Sequence, residues 1–273
     1  MKVKSSIFLL MLSFSLILVS CNNESSNEDR EDILKYKTMY MEFREPYQWV
    51  TNEPEPGMVN LEYYNGKIIR KNGDIAESDP FFPLYIISKE IYTPVVYEED
   101  KITITKEFAT LGYSSDYKKE IFLNNNQIEK IVKYDQSQIF GADTTFVYYE
   151  NGRISKTIKR LNTPLNESKY FYNTNNNLDS IVMRYYKINP VNNSLYIDYN
   201  SKIREVIVFS NYDNLYNPFK KLIIFDESYF RALSENNYAK ISYQGYDSDG
   251  NVYLNRVKNW TFILNNGEVD FSQ

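Results

Sequence analysis

A short pattern recurs along this chain: aromatic residues, a turn containing asparagine or glycine, and then a β-branched residue or leucine. The stretch 148–154, Tyr-Tyr-Glu-Asn-Gly-Arg-Ile, shows the pattern most clearly. Asn-Gly favours a type I′ turn, because Asn tolerates positive φ and Gly adopts it without steric cost. The flanking aromatic and β-branched residues favour strands. The stretch therefore predicts a β-hairpin.

Variants of this hairpin pattern occur at 63–68, 122–128, 170–178, 196–203 and 246–252. The first apolar residue after each predicted turn recurs at intervals of roughly two dozen residues, a spacing typical of proteins built from one repeated supersecondary unit. These residues are Ile102, Ile128, Ile154, Leu178 and Ile203. A lone hairpin is only marginally stable, so the units must pair side by side.

The pattern therefore predicts an all-β fold, an antiparallel meander of repeated β-hairpins with short connections. We expect one large twisted or curved sheet, which could close partly into a barrel. One short helix is predicted near 226–235, with Asp226 as its N-cap and Asn236-Asn237 as its end. A closing hairpin is predicted over 260–269.

The spacing of apolar residues after the turns departs from a regular strand. Ile128 and Ile131 are three residues apart, as are Leu178 and Ile181. Residues at this spacing point to opposite faces of a regular strand. Either a β-bulge lies next to the turn, or both faces of the sheet are partly covered.

The hairpins resemble tyrosine-aspartate (YD) repeats. They more closely resemble a group of lipoproteins without assigned function from Bacteroidetes-type bacteria, which are built of Y-x-x-x-G-[KR]-[IL] hairpins. The segment 212–219, Tyr-Asp-Asn-Leu-Tyr-Asn-Pro-Phe, is similar to the Y-D-N-x-x-N-P-F signature of that group. The resemblance covers roughly residues 60–273 and implies a repeat fold, without implying an activity. The turns at 124–126 and 200–201 depart from the pattern.

The first twenty residues have the features of a secretory signal peptide. Lys2 and Lys4 precede an apolar stretch at 7–19, which is too short for a comfortable membrane span. Leu18, Val19 and Ser20 then precede Cys21, the single cysteine, in the pattern of a bacterial lipoprotein. We therefore predict a signal peptide over 1–20 and acylation of Cys21, which would attach the protein to a lipid bilayer.

Residues 21–35 are polar and acidic and are predicted to form a disordered tether, followed by the β-hairpin-repeat domain over 36–273. The acidic residues after Cys21 are similar to the surface-export signal of Bacteroidetes-type lipoproteins. This resemblance implies a lipid-anchored protein of the outer membrane, exposed at the cell surface. Removing residues 1–20 removes two lysines and no acidic residue, so the net charge of −5 becomes −7. An acidic protein of this kind argues against nucleic acid as a partner.

The sequence contains no histidine and no free cysteine apart from Cys21. Its composition therefore excludes Ser-His and Cys-His nucleophile systems and thiolate metal sites, and no phosphate- or dinucleotide-binding motif is present. We predict no cofactor, no metal site and no enzyme activity. A glycan hydrolase that uses two carboxylates is the catalytic alternative, because such an enzyme needs only a pair of acidic side chains.

Two short motifs resemble known functional sites. The segment 247–251, Asp-Ser-Asp-Gly-Asn, resembles a calcium loop but lacks ligands that such a loop needs, so we predict a turn. Thr144 and Ser180 lie in tripeptides that resemble the O-glycan acceptor of Bacteroidetes envelope proteins, and their use is left open.

The chain is rich in aromatic residues, with 26 tyrosines, 16 phenylalanines and two tryptophans. Most tyrosines are expected to be half-buried in the sheet. An exposed subset could anchor a ligand, and Trp49, Tyr85 and Trp260 are the candidates. The predicted function is a non-catalytic binding or assembly module for a glycan or a protein partner. A pure structural scaffold is the further alternative, and it predicts no cluster of exposed aromatic residues.

Overall fold

One antiparallel meander sheet forms most of the described part of the protein. The computed structural model describes residues 35–37, 58–77, 85–108, 114–134 and 142–271, with the side chains of 59–73, 90–108, 117–134 and 142–271. All of these residues belong to one unit, Ile33–Gln273.

The strands follow the chain in regular order. They are β1 (Lys35–Lys37), β2 (Met58–Tyr64), β3 (Lys67–Glu77), β4 (Tyr85–Tyr97), β5 (Lys101–Phe108), β6 (Ser114–Asn124), β7 (Gln127–Tyr134), β8 (Asp143–Glu150), β9 (Arg153–Arg160), β10 (Pro164–Tyr172), β11 (Leu178–Tyr185), β12 (Lys187–Ile188), β13 (Leu195–Tyr196), β14 (Arg204–Tyr212), β15 (Tyr238–Tyr246), β16 (Val252–Asn259), β17 (Leu264–Asn265) and β18 (Glu268–Val269).

The main sheet has 14 strands, in the order β1 to β11 followed by β14, β15 and β16. Every neighbouring pair is antiparallel, as the predicted meander requires. The sheet does not close: β1 and β16 are its two edges among the described strands. The pairs β12–β13 and β17–β18 form separate two-stranded ribbons.

The predicted type I′ turns are confirmed by the backbone. Asn151 and Gly152 have φ values of 52° and 76°, and Asn65 and Gly66 have values of 50° and 71°. The Asn125-Asn126 turn, which departs from the sequence pattern, adopts the same conformation, with φ values of 50° and 61°. Asparagine can therefore fill both central positions of this turn.

A β-bulge lies next to these turns and explains the spacing of the apolar residues. The register between β6 and β7 shifts between Phe122 and Leu123, so that Ile128 pairs with Leu123 and Lys130 pairs with Phe122. Ile128 and Ile131 consequently face the same side of the sheet, and both are buried. The same shift occurs between β8 and β9 and between β10 and β11. The bulge interpretation is therefore correct.

The hairpin expected over 196–203 is wrong. Strand β14 begins at Arg204 and pairs directly with β11, and the intervening residues 186–203 form an excursion from the sheet that contains β12 and β13. Ile203 is exposed and does not belong to the core. Asn200 and Ser201 instead lie in a turn next to Asp198, whose side chain accepts a hydrogen bond from the Asn200 N–H.

The sheet has an inner face, which carries the apolar core, and an outer face. Inner-face residues include Ile121, Ile131, Val147, Ile181 and Ile207. The connection between β14 and β15, residues 213–237, packs across this face and is called the crossing segment below. It contributes Phe219, Leu222, Ile224 and Phe225 to the core.

The crossing segment contains two 3₁₀ turns, Pro218–Leu222 and Asp226–Ser228, and a short helix α1, Tyr229–Ala232. The predicted short helix is confirmed, but Asp226 is not its N-cap. Phe225 precedes the 3₁₀ turn and Ser228 precedes α1. The Asp226 carboxylate instead forms ion pairs with two lysines of the sheet. None of the helices in the described residues has the length and apolar character that a membrane crossing requires.

Candidate functional site

The crossing segment is fixed to the inner face by buried charges. Lys71 on β3 pairs with Glu227, and Lys119 on β6 donates to Asp226 at 2.6 Å and to the Ile224 carbonyl at 2.8 Å. Both lysines are almost fully buried. Burial lowers the pKa of Lys119, and the neighbouring Asp226 carboxylate opposes that shift. These ion pairs hold the crossing segment in place and present no open site.

Lys71 occupies a position that two other repeats fill with isoleucine. It follows Ile68 by three residues, as Ile131 follows Ile128 and Ile181 follows Leu178. The bulge therefore turns Lys71 into the core, where its ammonium group also lies 4.9 Å from the Phe225 ring centre. A lysine at this position of the repeat is therefore a sequence signal for a buried charge.

The Y-D-N-x-x-N-P-F segment has a structural role in the crossing segment. The Asp213 carboxylate accepts hydrogen bonds from the Leu215 N–H and from the Asn237 N–H and side-chain amide. Asn217, which is fully buried, accepts from the Phe219 N–H and donates to the carbonyls of Arg231 and Ser234. These bonds satisfy backbone groups of an irregular segment that covers the core.

Trp260 is part of the core and is not an exposed ligand anchor, contrary to the expectation from the sequence. Its side chain is 8% exposed. The ring lies 6.0 Å from the Tyr238 ring and contacts the guanidinium group of Arg231. Residues 260–263 fold back over the core between β16 and β17, because Trp260, Phe262 and Phe271 all pack there.

The remaining predicted site residues are not described. Leu18, Val19, Ser20, Cys21 and Trp49 lie outside the described residues. Tyr85 begins β4, and its side chain is also outside the described part. The lipid attachment and the roles of Trp49 and Tyr85 therefore stay predictions.

The outer face presents aromatic rings next to cationic side chains. Several pairs lie directly opposite each other on neighbouring strands, including Phe122 with Lys130 and Tyr148 with Lys156. The distances from the Lys Nζ atom to the ring centre are 4.1 Å and 4.6 Å in these two pairs. Such cation–π pairs stabilise the sheet by about 0.5–1 kcal/mol each at exposed sites.

A cluster of half-exposed tyrosines lies on this face around Glu167. Tyr148 on β8 is 41% exposed and Tyr199 in the excursion is 52% exposed. Tyr186 interacts electrostatically with Glu167 and Tyr148, and Tyr199 interacts with Tyr186. Tyr148, Tyr186 and Tyr199 are called the tyrosine patch below.

Glu167 is a buried carboxylate that contacts the tyrosine patch and the lysines beside it. Its side chain is buried, its Oε1 atom accepts a hydrogen bond from the Tyr199 hydroxyl at 2.8 Å, and Lys156 and Lys169 lie 3.9 Å from its oxygens. Burial raises the pKa of Tyr199, and the hydrogen bond to the Glu167 carboxylate raises it further. The Tyr199 hydroxyl therefore stays protonated and is held in a fixed orientation.

The strands and the excursion set the position of each ring. Lys156 and Glu167 are on β9 and β10, which pair along their length. The excursion is attached to this region by the Tyr186 N–H, which donates to the Leu165 carbonyl at 3.0 Å. Lys187 holds the excursion together by contacts to Asp198 and Ser201 at 3.3 Å and 3.2 Å. The patch is thus built from one ring on a sheet strand and two rings of an excursion that is attached to the sheet by hydrogen bonds.

A second buried carboxylate on the outer face has a similar environment. Glu120 on β6 accepts from the Tyr134 hydroxyl at 3.0 Å and contacts Lys118 at 2.8 Å and Lys101 at 3.5 Å. The hydrogen bond from Lys118 lowers the pKa of Glu120, although burial partly opposes the shift. A carboxylate that acts as a general acid needs a raised pKa, so this environment suits a structural carboxylate.

The Asp247 segment forms a turn, as predicted. The Asp247 carboxylate accepts hydrogen bonds from the Asp249 and Asn251 N–H groups, which hold its pKa below the usual range. No group of three or more potential metal ligands lies together within the described residues. Thr144 on β8 and Ser180 on β11 are half-buried strand residues.

A sequence signal for the outer-face pairs existed in the hairpin pattern. Phe122 and Tyr148 each precede the turn by three residues, and Lys130 and Lys156 each follow it by four. The bulge places these positions opposite each other on the outer face. The contact of Tyr199 with Glu167 had no such signal, because the excursion has no repeat pattern.

Comparisons with known proteins give structural similarities only. No protein-family model and no curated protein sequence matches this chain. The chain is similar to a porin-like protein from Bacteroides vulgatus, with a TM-score of 0.47 and 16% identity over 81% of this chain and 87% of that one. A porin-like protein from Bacteroides uniformis gives a TM-score of 0.42 and 12% identity, over 79% of this chain and 87% of that one. A Bacteroides fragilis protein of unknown function gives a TM-score of 0.21 and 12% identity, over 51% of this chain and 86% of that one. Similarities of this degree do not indicate a function.

Proposed function

We propose that this protein is a lipid-anchored protein of the bacterial outer membrane, exposed at the cell surface, which binds a glycan without catalysing a reaction. The ligand binds on the outer face of the sheet, and the tyrosine patch is its main contact. The signal peptide pattern with Cys21 supports the location, and the patch supports the binding role.

The observation that carries the binding role is the set of half-exposed rings fixed around one buried carboxylate. Tyr148 and Tyr199 expose about half of their side chains while a sheet strand and a hydrogen bond to Glu167 hold them in place. Tyrosine at such positions supplies a large apolar surface and a hydroxyl group at low conformational entropy cost. A sugar ring needs both, since its C–H face stacks on an aromatic ring and its hydroxyls form hydrogen bonds.

Tyrosine substitutions test this role in the full-length protein. We expect Tyr148→Ala and Tyr199→Ala to weaken binding to a polysaccharide panel about tenfold, or roughly 1.4 kcal/mol, by affinity electrophoresis or calorimetry. Tyr216→Ala is the matched control, because Tyr216 is 67% exposed and lies on the crossing segment, away from the patch. Failure of every polysaccharide to bind, or equal binding by Tyr148→Ala and the wild type, would contradict the proposal.

The anchor is tested separately in cells. Cys21→Ser removes the thiol to which the lipid would be attached. We expect the variant to lose incorporation of a labelled fatty acid and to leave the membrane fraction, while Ser20→Ala keeps both. Labelling of Cys21→Ser at the wild-type level would disprove the lipid anchor and leave the glycan-binding proposal standing.

The absence of catalysis is supported by the environment of the outer-face carboxylates. Glu120 and Glu167 each contact lysines and a tyrosine hydroxyl, and the hydrogen bond from Lys118 lowers the pKa of Glu120, whereas a general acid needs a raised pKa. Prolonged incubation of the protein with a polysaccharide that it binds should therefore produce no new reducing ends. Release of reducing ends that Glu167→Gln abolishes would favour the carboxylate-dependent hydrolase.

A further inference from the structure

Cationic side chains surround the tyrosine patch, although the whole chain is acidic. They are Lys156 and Arg160 on β9, Lys169 on β10 and Arg184 on β11. Glu167 is the carboxylate between them, and two of these lysines already contact it. The whole chain has a net charge of −5, whereas four cationic side chains lie around this patch.

Three of these four cations lie beside an aromatic ring of the outer face. Lys169 is 4.1 Å from the Tyr199 ring centre and Lys156 is 4.6 Å from that of Tyr148. Arg160 is 5.1 Å from the Phe146 ring centre and also interacts electrostatically with Tyr186. A ligand that stacks on these rings therefore places its substituents within reach of positive charges.

This arrangement discriminates between kinds of glycan. A neutral sugar chain would cover the lysine and arginine side chains without neutralising them, which costs free energy. A chain with carboxylate or sulfate groups forms charge-assisted hydrogen bonds with the same side chains. The acidic residues Glu150 and Asp179 are exposed at the turn ends of their strands and would repel an anionic chain there. These charges favour binding across the middle of the strands.

We propose that the ligand of the tyrosine patch is an acidic polysaccharide, with uronate or sulfate groups bound by Lys156, Arg160, Lys169 and Arg184. This inference rests on the proposed glycan-binding function and names its ligand class. Single-stranded nucleic acid also combines planar rings with anionic groups. The signal peptide pattern favours a polymer outside the cytoplasm, so the polysaccharide is the ligand that we infer.

Matched pairs of polymers test the charge requirement with the full-length protein. Polygalacturonate is compared with its methyl ester, and dextran sulfate is compared with dextran, so that each pair shares a backbone and differs in charge. We expect at least tenfold tighter binding to the acidic polymers. Raising the NaCl concentration from about 50 to about 200 mM should weaken that binding several-fold, because salt screens exposed charges.

Charge variants locate the effect. Lys169→Gln and Lys156→Gln should each weaken polygalacturonate binding about fivefold, or roughly 1 kcal/mol, and should not weaken binding to the methyl ester. Lys221→Gln removes the same charge from an exposed position of the crossing segment and should change neither affinity. Thermal unfolding monitored by circular dichroism checks that each variant is folded, and the salt titration of the wild type gives an answer that does not depend on variants.

The outcomes separate this inference from the proposed function. Equal affinity for an acidic polymer and its neutral partner would overturn the ligand class but leave glycan binding intact. Failure of all four polymers and of the wider panel to bind would overturn both proposals. Tighter binding to a single-stranded oligonucleotide than to polygalacturonate would also overturn both.

Discussion

The guanidinium carbon of Arg231 lies 4.6 Å from the ring centre of Trp260 in the interior of the protein. Arg231 is fully buried, and its Nη1 atom donates to the Tyr238 carbonyl at 3.0 Å. The Tyr238 ring lies 4.2 Å from the same guanidinium carbon. A buried cation is thus enclosed by aromatic rings at the place where α1, β15 and the end of β16 meet.

Arg231→Lys should lower the free energy of unfolding by about 2 kcal/mol or more, although it keeps the charge. Lysine lacks the planar group that stacks on Trp260 and Tyr238 and the fixed donors of the guanidinium group. Urea unfolding monitored by circular dichroism measures the change. Arg153→Lys, at an exposed position of a hairpin, should change stability by less than about 0.5 kcal/mol. Equal stability of Arg231→Lys and the wild type would show that the rings do not select for arginine.

Removing one member of the buried Lys71–Glu227 pair should be more harmful than removing both. Glu227→Gln removes the carboxylate that pairs with the buried Lys71, and breaking a buried pair in this way costs about 3–5 kcal/mol. Lys71→Met combined with Glu227→Gln should cost clearly less than the sum of the single changes. A double-mutant cycle in urea measures this coupling.

The control for that cycle is the pair Lys101–Glu98. Its atoms are 3.3 Å apart, but the Glu98 side chain is half exposed. Its coupling energy should stay below about 1 kcal/mol, because water screens the pair. A coupling for Lys71–Glu227 as small as that of this control would show that this ion pair does not help to hold the crossing segment in place.

Stability should fall above pH 10 because of buried tyrosines. Burial, with smaller effects of Tyr97 and Tyr216, raises the pKa of Tyr63 to about 12. Between an unfolded-state pKa of about 10 and this value, the folded state binds more protons, so the free energy of unfolding decreases as pH rises. Tyr63→Phe should flatten this decrease, measured as urea midpoints at several pH values. Tyr64→Phe, at an exposed neighbouring position, should keep the wild-type slope, and identical slopes for both variants would contradict the assignment.

The hairpin turns should respond to substitution according to their backbone angles. Asn126 has a φ of 61°, so Asn126→Gly should raise stability by about 0.5 kcal/mol. Gly152 has a φ of 76° and open space around it, so Gly152→Val should lower stability by about 1–2 kcal/mol through backbone strain alone. Thermal unfolding of the two variants measures both effects. Opposite signs would show that the type I′ geometry is not maintained in solution.

Some contacts of the candidate site follow from residues close together in the sequence, and others do not. The outer-face pairs follow from the hairpin itself, because the bulge beside Asn151-Gly152 places Tyr148 opposite Lys156. The contact between Tyr199 and Glu167 joins residues 32 positions apart through an irregular excursion. No periodicity in the sequence indicates that contact, and the hairpin expected over 196–203 was wrong for the same reason.

By itself, the sequence determined most of the repeated hairpins, their turn type and the meander order, and it left a β-bulge as one of two explanations for the spacing of the apolar residues. These features depend on backbone preferences of residues a few positions apart, such as positive φ at Asn151 and Gly152. Only the tertiary structure decided that Trp260 is buried against Arg231 and that the crossing segment covers the inner face. Lys71 and Glu227 are 156 positions apart, and their pairing depends on how the crossing segment packs across the inner face. Local backbone preferences do not specify contacts between residues so far apart in the sequence, because such contacts form only when the complete core is packed.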